Sequence, residues 1–110
     1  MSLHDLKWSK SEKKIARLAF DAAYHKECDS IKSKLNTMID GASVSRDIWH
    51  VHDYLTEQRE LTDEKYDYRY SQLLFVLARL LGEGWLTEDD LEGLEDDKIN
   101  AIRGIADFGR

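Results

Sequence analysis

The chain has 110 residues, and its 16 basic and 22 acidic side chains give a formal net charge of −6 with neutral histidines. This length favours a single domain. Hydrophobic residues make up 42% of the chain, which is enough for a core and argues against a disordered protein. The negative charge argues against nucleic acid or an anionic membrane as the main partner.

Cysteine content and targeting signals indicate a cytoplasmic protein. The single cysteine, Cys28, excludes an intrachain disulfide framework and a cysteine-rich zinc site. The first residues, MSLHDLKWS, lack the apolar core of a signal peptide, and no window approaches the roughly 18 apolar residues of a membrane span. We therefore expect a soluble, cytoplasmic protein without integral membrane contact.

The first third of the chain predicts one long helix. Its apolar residues recur with the helical period, and the whole chain contains no proline that would break a helix. Ser9 and Glu12 have the spacing of a capping box, and Gly41 stands where a left-handed residue would end a helix. The predicted helix runs from about Ser9 to Asp40.

The middle of the chain predicts a second helix from about Arg46 to Glu60. Ser43 or Ser45 is expected to cap its start. Thr62-Asp-Glu then offers a new helix start, because threonine caps well and the carboxylates complement the helix dipole. The chain either bends there or runs straight on.

The last third predicts further helices. The run from Leu73 to Leu81 is apolar on nearly every side, so we expect a buried helix that Gly82 and Gly84 end. Thr87 and Asp90 form a second capping box, which predicts a short helix through about residue 93.

A final helix is expected to begin near Asp96, and one stripe of it consists of Ile99, Ile102 and Ile105. No strand signal and no internal repeat is evident in the sequence. The predicted fold class is therefore all-α.

The predicted first helix is too long for a compact chain of this size. About 32 helical residues span about 48 Å, whereas a compact chain of this length forms a sphere roughly 34 Å across. Part of the apolar stripe is then uncovered, and a second copy of the chain is the commonest cover. The alternative is a break near Cys28-Asp29-Ser30 that folds the helix back into a compact monomer. We expect the homodimer.

The sequence offers little catalytic chemistry. His50 and His52 point about 200° apart on a helix, so they cannot share a metal ion unless the helix is broken there. His4 and His25 have no partner at helical spacing that suggests a metal site, since Asp21 four residues before His25 is more often a surface contact, and Cys28 has no fixed base beside it. We expect no enzymatic activity, no metal site and no cofactor.

One segment, Ile48-Trp-His-Val-His-Asp-Tyr-Leu55, combines an apolar face with a polar one. On a helical wheel, a stripe about 120° wide contains Trp49, His52, Asp53 and Arg59. A neighbouring apolar face, suited to a dimer seam, contains Ile48, Val51 and Leu55. Tryptophan and arginine are enriched at interaction hot spots. The alternative is that Trp49 belongs to the core and the charges form salt bridges at its rim, or that Arg59 pairs with Asp53 across a dimer seam.

Trp49-His-Val-His52-Asp53-Tyr-Leu55 resembles the W-x-x-H-D-[FY]-L signature of the cyanobacterial fluorescence recovery proteins, and Arg59 falls at the family's arginine position. Further similar segments are Trp8-Ser9, Phe20, Ala23-Tyr24-x-x-Glu27, Lys65-Tyr66-Asp67-x-Arg69, Phe75-Val76 and Leu80-Leu81-x-Glu83-Gly84. The resemblance covers roughly Trp8 to Ile105, and its central motif is specific because several rare residue types recur in order without gaps.

The resemblance implies an all-helical protein without cofactor or catalytic chemistry. It implies a dimer formed through long helices, which we assign to residues 1–60, and a small C-terminal helical head, residues 61–110. Members of that family bind the photoactivated red form of the orange carotenoid protein, chiefly through its C-terminal domain. They speed its return to the orange form and end the quenching of phycobilisome fluorescence. The expected location is the cytoplasm, or the thylakoid surface through the phycobilisome.

The resemblance also implies residue roles. The partner surface and dimer surface would include Trp49, His52, Asp53 and Arg59, and the dimer seam would include Ile48, with Val51 and Leu55 beside it. Phe75 on the head matches a position linked to partner contact. The chain departs from the family at Ala101, where the pattern has a lysine; Lys98 and Arg103 offer charge nearby.

Two other interpretations stay open. One is a helical homodimeric adaptor that binds a different signalling protein, with the motif serving dimerisation. The other is a small hydrolase or metal protein that uses His50, His52 and Asp53, although helical geometry argues against it.

Overall fold

Helices account for all the regular structure of residues 6–108, the part of the chain that the computed structural model describes. The elements are α1 (Lys10–Asp40), α2 (Ser45–Lys65), α3 (Leu73–Glu83), a 3-10 turn (Glu88–Leu91) and α4 (Asp96–Phe108). No strand occurs within those residues. The predicted all-α fold class is confirmed.

The long first helix is confirmed almost to the residue. The hydroxyl of Ser9 accepts a hydrogen bond from the backbone of Glu12 (3.2 Å), and the Glu12 carboxylate accepts one from the backbone of Ser9 (3.0 Å). The helix continues through the region of Cys28, so the alternative break there is wrong. The predicted left-handed stop at Gly41 is also wrong, because Gly41 stays right-handed (φ −87°) and donates to the Thr37 carbonyl as a further helical residue would.

The start of α2 differs from the prediction. Val44 occupies the N-cap, and neither nearby serine caps the helix with its side chain. Instead the carboxylate of Asp47 accepts hydrogen bonds from the backbone of Ser43 (2.9 Å) and Val44 (3.2 Å). Those two bonds lower the pKa of Asp47, because they favour the charged carboxylate.

The end of α2 lies beyond the predicted Glu60. The helix passes through Thr62 without a break and ends at Lys65, so no new helix begins at Thr62. The non-helical chain that follows contains Tyr66, Tyr68 and Tyr70 at alternate positions. We call residues 66–70 the tyrosine strap.

The strap lies against the first half of α1 through aromatic contacts. The ring of Phe20 meets Tyr66 and Tyr68 edge to face, at centroid distances of 5.2 and 4.9 Å. The guanidinium of Arg17 lies 4.5 Å from the ring centroid of Tyr68, and the ammonium of Lys13 lies 4.9 Å from that of Tyr70. These contacts hold the strap against α1, in a segment that contains no proline or glycine to end a helix.

The core forms between the first half of α1 and the C-terminal third of the chain. α3 is its centre, because Leu73, Leu77 and Leu80 are fully buried. From α1 and α4 the core takes Ala16, Ala19, Phe20, Ala23, Ile102 and Ala106. The predicted stop after α3 is confirmed at Gly84, whose φ of 86° is left-handed, whereas Gly82 lies within the helix and does not end it. The predicted short helix after Thr87 is shorter than expected, since it is a single 3-10 turn.

Gly93 explains how the loop before α4 fits against α1. Its φ of 102° is left-handed, and a Cβ there would lie 2.5 Å from Cδ1 of Ile15. Any other residue would therefore be strained and would also displace that side chain.

The chain divides into a packed head and an uncovered hairpin. The head consists of residues 6–27 and 65–108, because the first half of α1 packs into one core with the expected C-terminal head. The hairpin consists of residues 28–64, which are the second half of α1, the turn and nearly all of α2. No residue of the hairpin is buried. The molecule measures 56 × 25 × 23 Å, and its radius of gyration of 16.9 Å exceeds the roughly 13 Å of a compact chain of this length. The expected protrusion of the first helix is confirmed.

Glu12 connects the start of α1 to the start of α4. It is buried, and its carboxylate accepts hydrogen bonds from the backbone of Glu95 (3.0 Å) and from the buried ammonium of Lys98 (3.1 Å) as well as from Ser9. Burial alone would raise the pKa of this carboxyl. The hydrogen bonds from Ser9, Glu95 and Lys98 outweigh burial and hold the pKa of Glu12 below its ordinary value.

We expect Glu12→Gln to lower the free energy of unfolding by about 3 kcal/mol at pH 7, because it leaves the Lys98 ammonium buried with a weaker partner. A lowered folded pKa gives stability that is present above the unfolded pKa of about 4.3 and is lost as the pH falls through the folded pKa. The difference between the two proteins should therefore shrink below about pH 4. Urea unfolding followed by circular dichroism, at one chain concentration, measures it.

The control is Glu92→Gln, which removes the same charge from an exposed side chain. It should change the unfolding free energy by less than about 0.5 kcal/mol. An equal loss in both variants, or a loss in Glu12→Gln that does not depend on pH, would contradict the role assigned to Glu12.

Candidate interaction site

Three of the predicted site residues meet on the surface of α2. Trp49 is 65% exposed, and the side chains of His52 and Asp53 are exposed as well. The rings of Trp49 and His52 stand 6.4 Å apart at 75°, and Nδ1 of His52 lies 3.5 Å from Oδ1 of Asp53. We call these three residues the α2 patch. Trp49 is not part of the core of this chain.

Arg59 lies on the same face of α2 as the α2 patch, but it is farther along the helix. It follows Trp49 by ten residues, which places it about 15 Å farther along the helix axis. Its Nε donates to Oδ2 of Asp63 at 2.9 Å, one turn later on α2. Within this chain, Arg59 therefore pairs with Asp63 and not with Asp53.

The three apolar residues expected at a dimer seam have different surroundings. Ile48 is 62% exposed and Leu55 is 39% exposed. Val51 is half-buried and lines the groove between the two hairpin helices together with Met38 and Thr37 of α1. Ile48 and Leu55 are thus left for an outside surface, while Val51 already has neighbours in its own chain.

The tip of the hairpin carries a second group of exposed apolar side chains. Val44 and Ile39 are each 53% exposed, and they flank the turn between α1 and α2. An open groove there is lined by Ala42, Ser43, Val44, Ser45, Ile48 and Trp49. The apolar surface at the tip is therefore continuous with the α2 patch.

The head presents a separate aromatic side chain. Phe75 lies on α3 and is 38% exposed. Arg79, one turn later, is half exposed, and its Nε donates to Oε2 of Glu83 at 2.9 Å. Both line a groove between the end of α2 and α3.

The two cations near Ala101 are occupied. Lys98 is buried against Glu12, and Arg103 pairs with Glu88 on the 3-10 turn. Ala101 itself is half-buried against the core. Of the two cations, only Arg103 is at the surface, and it already holds a carboxylate.

The junction of hairpin and head contains an ion-pair cluster around one buried lysine, which the spacing of residues in the sequence does not predict. The ammonium of Lys65 lies 2.6 Å from Oε2 of Glu27 on α1 and 2.6 Å from Oε1 of Glu83 on α3. The hydroxyl of Tyr66 donates to Oε1 of Glu27 at 2.8 Å. We call Lys65, Glu27, Glu83 and Tyr66 the junction cluster. Its partners are 38 and 18 residues from Lys65, so local spacing gives no signal for it.

The electrostatics of the cluster favour the charged form of Glu83 and the neutral form of Tyr66. Burial would raise the pKa of Glu83, but the hydrogen bonds from Lys65 and Arg79 outweigh it, and that pKa is lowered. Burial and the bond to Glu27 raise the pKa of Tyr66 far above its ordinary value, because ionisation would place a second negative charge beside that carboxylate.

The remaining histidines and the cysteine form no shared site in the described residues. His50 approaches Asp47 (3.9 Å) and His52 approaches Asp53, so each turns to its own carboxylate. Within residues 6–108, no group of three or more potential ligands is placed to hold a metal ion. Cys28 is half-buried, and His4 lies outside the described residues.

None of the helices in residues 6–108 is long and apolar enough to cross a membrane.

Comparisons with known proteins give one consistent result. A sequence model of the family described as "Photoprotection regulator fluorescence recovery protein" matches residues 8–106. The fluorescence recovery protein of Synechocystis sp. PCC 6803 is 34% identical over 99 residues, which are 90% of this chain and 91% of that protein. Its structure covers 92% of this chain and 99% of its own, with a TM-score of 0.86. The Fremyella diplosiphon fluorescence recovery protein is 38% identical, with the same TM-score and coverage.

The raised pKa of Tyr66 predicts a spectroscopic result. In the folded protein, Tyr66→Phe should leave the absorbance change of tyrosine ionisation unchanged up to roughly pH 11, since Tyr66 does not ionise there. In urea the same variant should lose one fifth of that change, because the chain has five tyrosines. Titration at 295 nm, with circular dichroism as the check on folding, measures both. A folded-state loss as large as the loss in urea would contradict the prediction.

Proposed function

The chain belongs to the fluorescence recovery protein family of photoprotection regulators, and we propose that it acts as a non-enzymatic regulator of the orange carotenoid protein. It binds the photoactivated form, chiefly through that protein's C-terminal domain, and accelerates its return to the resting orange form. Quenching of phycobilisome fluorescence then ends. The observation that carries this proposal is the family match over residues 8–106, which includes both the α2 patch and Phe75.

The proposed activity needs no bond to be made or broken. A protein that accelerates a conformational return must bind the intermediate or transition state more tightly than the starting form. It must also bind the resting form weakly, because otherwise it would stay in a stable complex. The result is a population shift in the partner.

The α2 patch suits such a contact because it is large, exposed and mixed in character. An indole that is 65% exposed can be desolvated by a partner, and the adjacent imidazole and carboxylate supply directional hydrogen bonds. Phe75 on the head adds a second exposed aromatic side chain. The proposal assigns the partner surface to Trp49, His52, Asp53, Arg59 and Phe75.

We further propose that the hairpin forms a homodimer. A two-helix layer in which no residue is buried gains little stability from its own contacts. Ile48 and Leu55 on α2, together with Ile39 and Val44 at the tip, leave apolar surface that a second copy would cover. Val51 lies beside this seam, on the side of α2 that faces α1.

A dimer would present two copies of the partner surface. Two copies can hold the separated domains of one carotenoid protein near each other and so raise their effective concentration. The proposed location is the cytoplasm, or the thylakoid surface while the partner is on the phycobilisome.

The function is tested by mixing the chain with photoactivated orange carotenoid protein in the dark and following the red-to-orange absorbance change. We expect acceleration by the unmodified chain. Trp49→Ala should weaken the apparent affinity at least about tenfold, or 1.4 kcal/mol, as loss of a hot-spot side chain does. His50→Ala, an exposed change one residue away on another face, is the control. If the unmodified chain dimerises but does not accelerate recovery, the adaptor for a different signalling protein becomes the better interpretation.

The dimer is tested by Ile48→Glu. Two-fold symmetry places the new charge in the seam twice. We therefore expect the free energy of dimerisation to weaken by roughly 4 kcal/mol, which corresponds to about a thousandfold higher dissociation constant of the dimer. Light scattering should then give a mass near the 12.8 kDa of one chain. His50→Glu adds the same charge about 200° around α2 and should leave the dimer intact. A monomeric mass for the unmodified chain at low micromolar concentration would overturn the proposal.

A further inference from the structure

The junction cluster is the place where the hairpin meets the head. Lys65 is the last residue of α2 and is only 7% exposed, and it is the single buried residue of that helix. Its ammonium joins a carboxylate of α1 to a carboxylate of α3 through two contacts of 2.6 Å. Three helices therefore meet at one cation.

Every oxygen of the two carboxylates has a donor. The Glu27 carboxylate accepts a hydrogen bond from the Lys65 ammonium on Oε2 and one from the Tyr66 hydroxyl on Oε1. In Glu83, Oε1 accepts hydrogen bonds from the Lys65 ammonium and from the indole N–H of Trp85. Its other oxygen, Oε2, accepts one from Nε of Arg79. Such a saturated arrangement defines direction as well as distance, because each hydrogen bond has a preferred angle.

Stability alone does not account for a buried lysine at this point. A buried ion pair contributes little net stability compared with apolar side chains of similar volume, whereas removing one partner leaves an uncompensated charge. Apolar side chains can slide over one another, but the two contacts of Lys65 fix where the end of α2 stands relative to α3. The cluster is therefore better suited to orientation than to cohesion.

The path of the chain makes this orientation depend on Lys65. On the α1 side, the hairpin and the head are joined by one continuous helix. On the α2 side, the helix ends at Lys65, and Tyr66 leaves it with a non-helical backbone (φ −90°, ψ 70°). The covalent path from the end of α2 to the head then runs through the tyrosine strap, and the cluster adds a direct link from α2 to α3.

We propose that Lys65 is a positioning residue whose contacts with Glu27 and Glu83 hold α2 at a fixed orientation to the head, so that the α2 patch and Phe75 meet one partner together. The second half of this statement rests on the function proposed above. When two surfaces bind one partner, the first contact raises the effective concentration of the second only if the spacing of the surfaces matches the partner.

The orientation is measured without any partner. Spin labels are attached through Glu60→Cys near the end of α2 and Asn100→Cys on α4, both exposed, in a Cys28→Ser background. Labelled chains are diluted with unlabelled chains so that distances between copies do not contribute. In Lys65→Met we expect the distance distribution to become at least about twice as wide.

Lys98→Met is the matched control, because Lys98 is the other buried lysine and its contact with Glu12 joins α4 to α1 without involving α2. It should lose comparable stability but keep the narrow distribution. Glu83→Gln is the second variant should Lys65→Met not fold, since it weakens the contact of Lys65 with α3 and keeps the contact with Glu27 of α1. An unchanged distribution in the cluster variants, or equal widening in Lys98→Met, would overturn the proposal.

The partner assay tests the second half. Folded cluster variants should need at least about tenfold more protein to accelerate carotenoid recovery, through lost effective concentration, while Lys98→Met should not. A wider distribution with unchanged recovery would overturn the assignment of one partner to both surfaces. Failure of the unmodified chain to accelerate recovery overturns the proposed function, and it is distinguishable because the distance measurement contains no carotenoid protein.

Discussion

The structure depends on a single constraint, which is that α1 is one unbroken helix of 31 residues. Its first half supplies Ala16, Ala19, Phe20 and Ala23 to the core, where α3 and α4 cover it. Among residues 6–108, the second half has only α2 beside it. The division into head and hairpin, the exposure of the α2 patch and the apolar tip all follow from this unequal covering of one helix.

Two buried lysines fix the two places where chain segments distant in sequence must meet. Lys98 and Glu12 join α4 to the start of α1, and Lys65 joins the end of α2 to Glu27 and Glu83. In each case a carboxylate also accepts hydrogen bonds from other donors, so that no charge is buried with a single partner. The apolar core alone, built largely from alanine and leucine, would specify these junctions less sharply.

The sequence predicts those features whose signals are local. The period of the apolar residues and the Ser9 capping box predict α1, and a helical wheel predicts that Trp49, His52 and Asp53 are neighbours. The wheel fails for Arg59, because it gives the angle around a helix but not the distance along it.

The junction cluster and the strap depend on long-range contacts. The continuation of α2 past Thr62 ends where Lys65 meets partners 18 and 38 residues away, which no spacing rule reveals. The alternation of Tyr66, Tyr68 and Tyr70 is a local sign of extended chain, and it was the available signal for the break before α3.

The arrangement of the head has a consequence for the order of assembly during synthesis. The Glu12 carboxylate accepts a hydrogen bond from the backbone N–H of Glu95, 83 residues later in the chain. The first half of α1 packs into the core only against segments that follow the hairpin. The hairpin, by contrast, consists of helices adjacent in sequence, whose mutual contacts need little loop closure. The whole hairpin segment therefore leaves the ribosome before the segments that close the head, and the apolar side chains of its tip have no cover from the head during that interval.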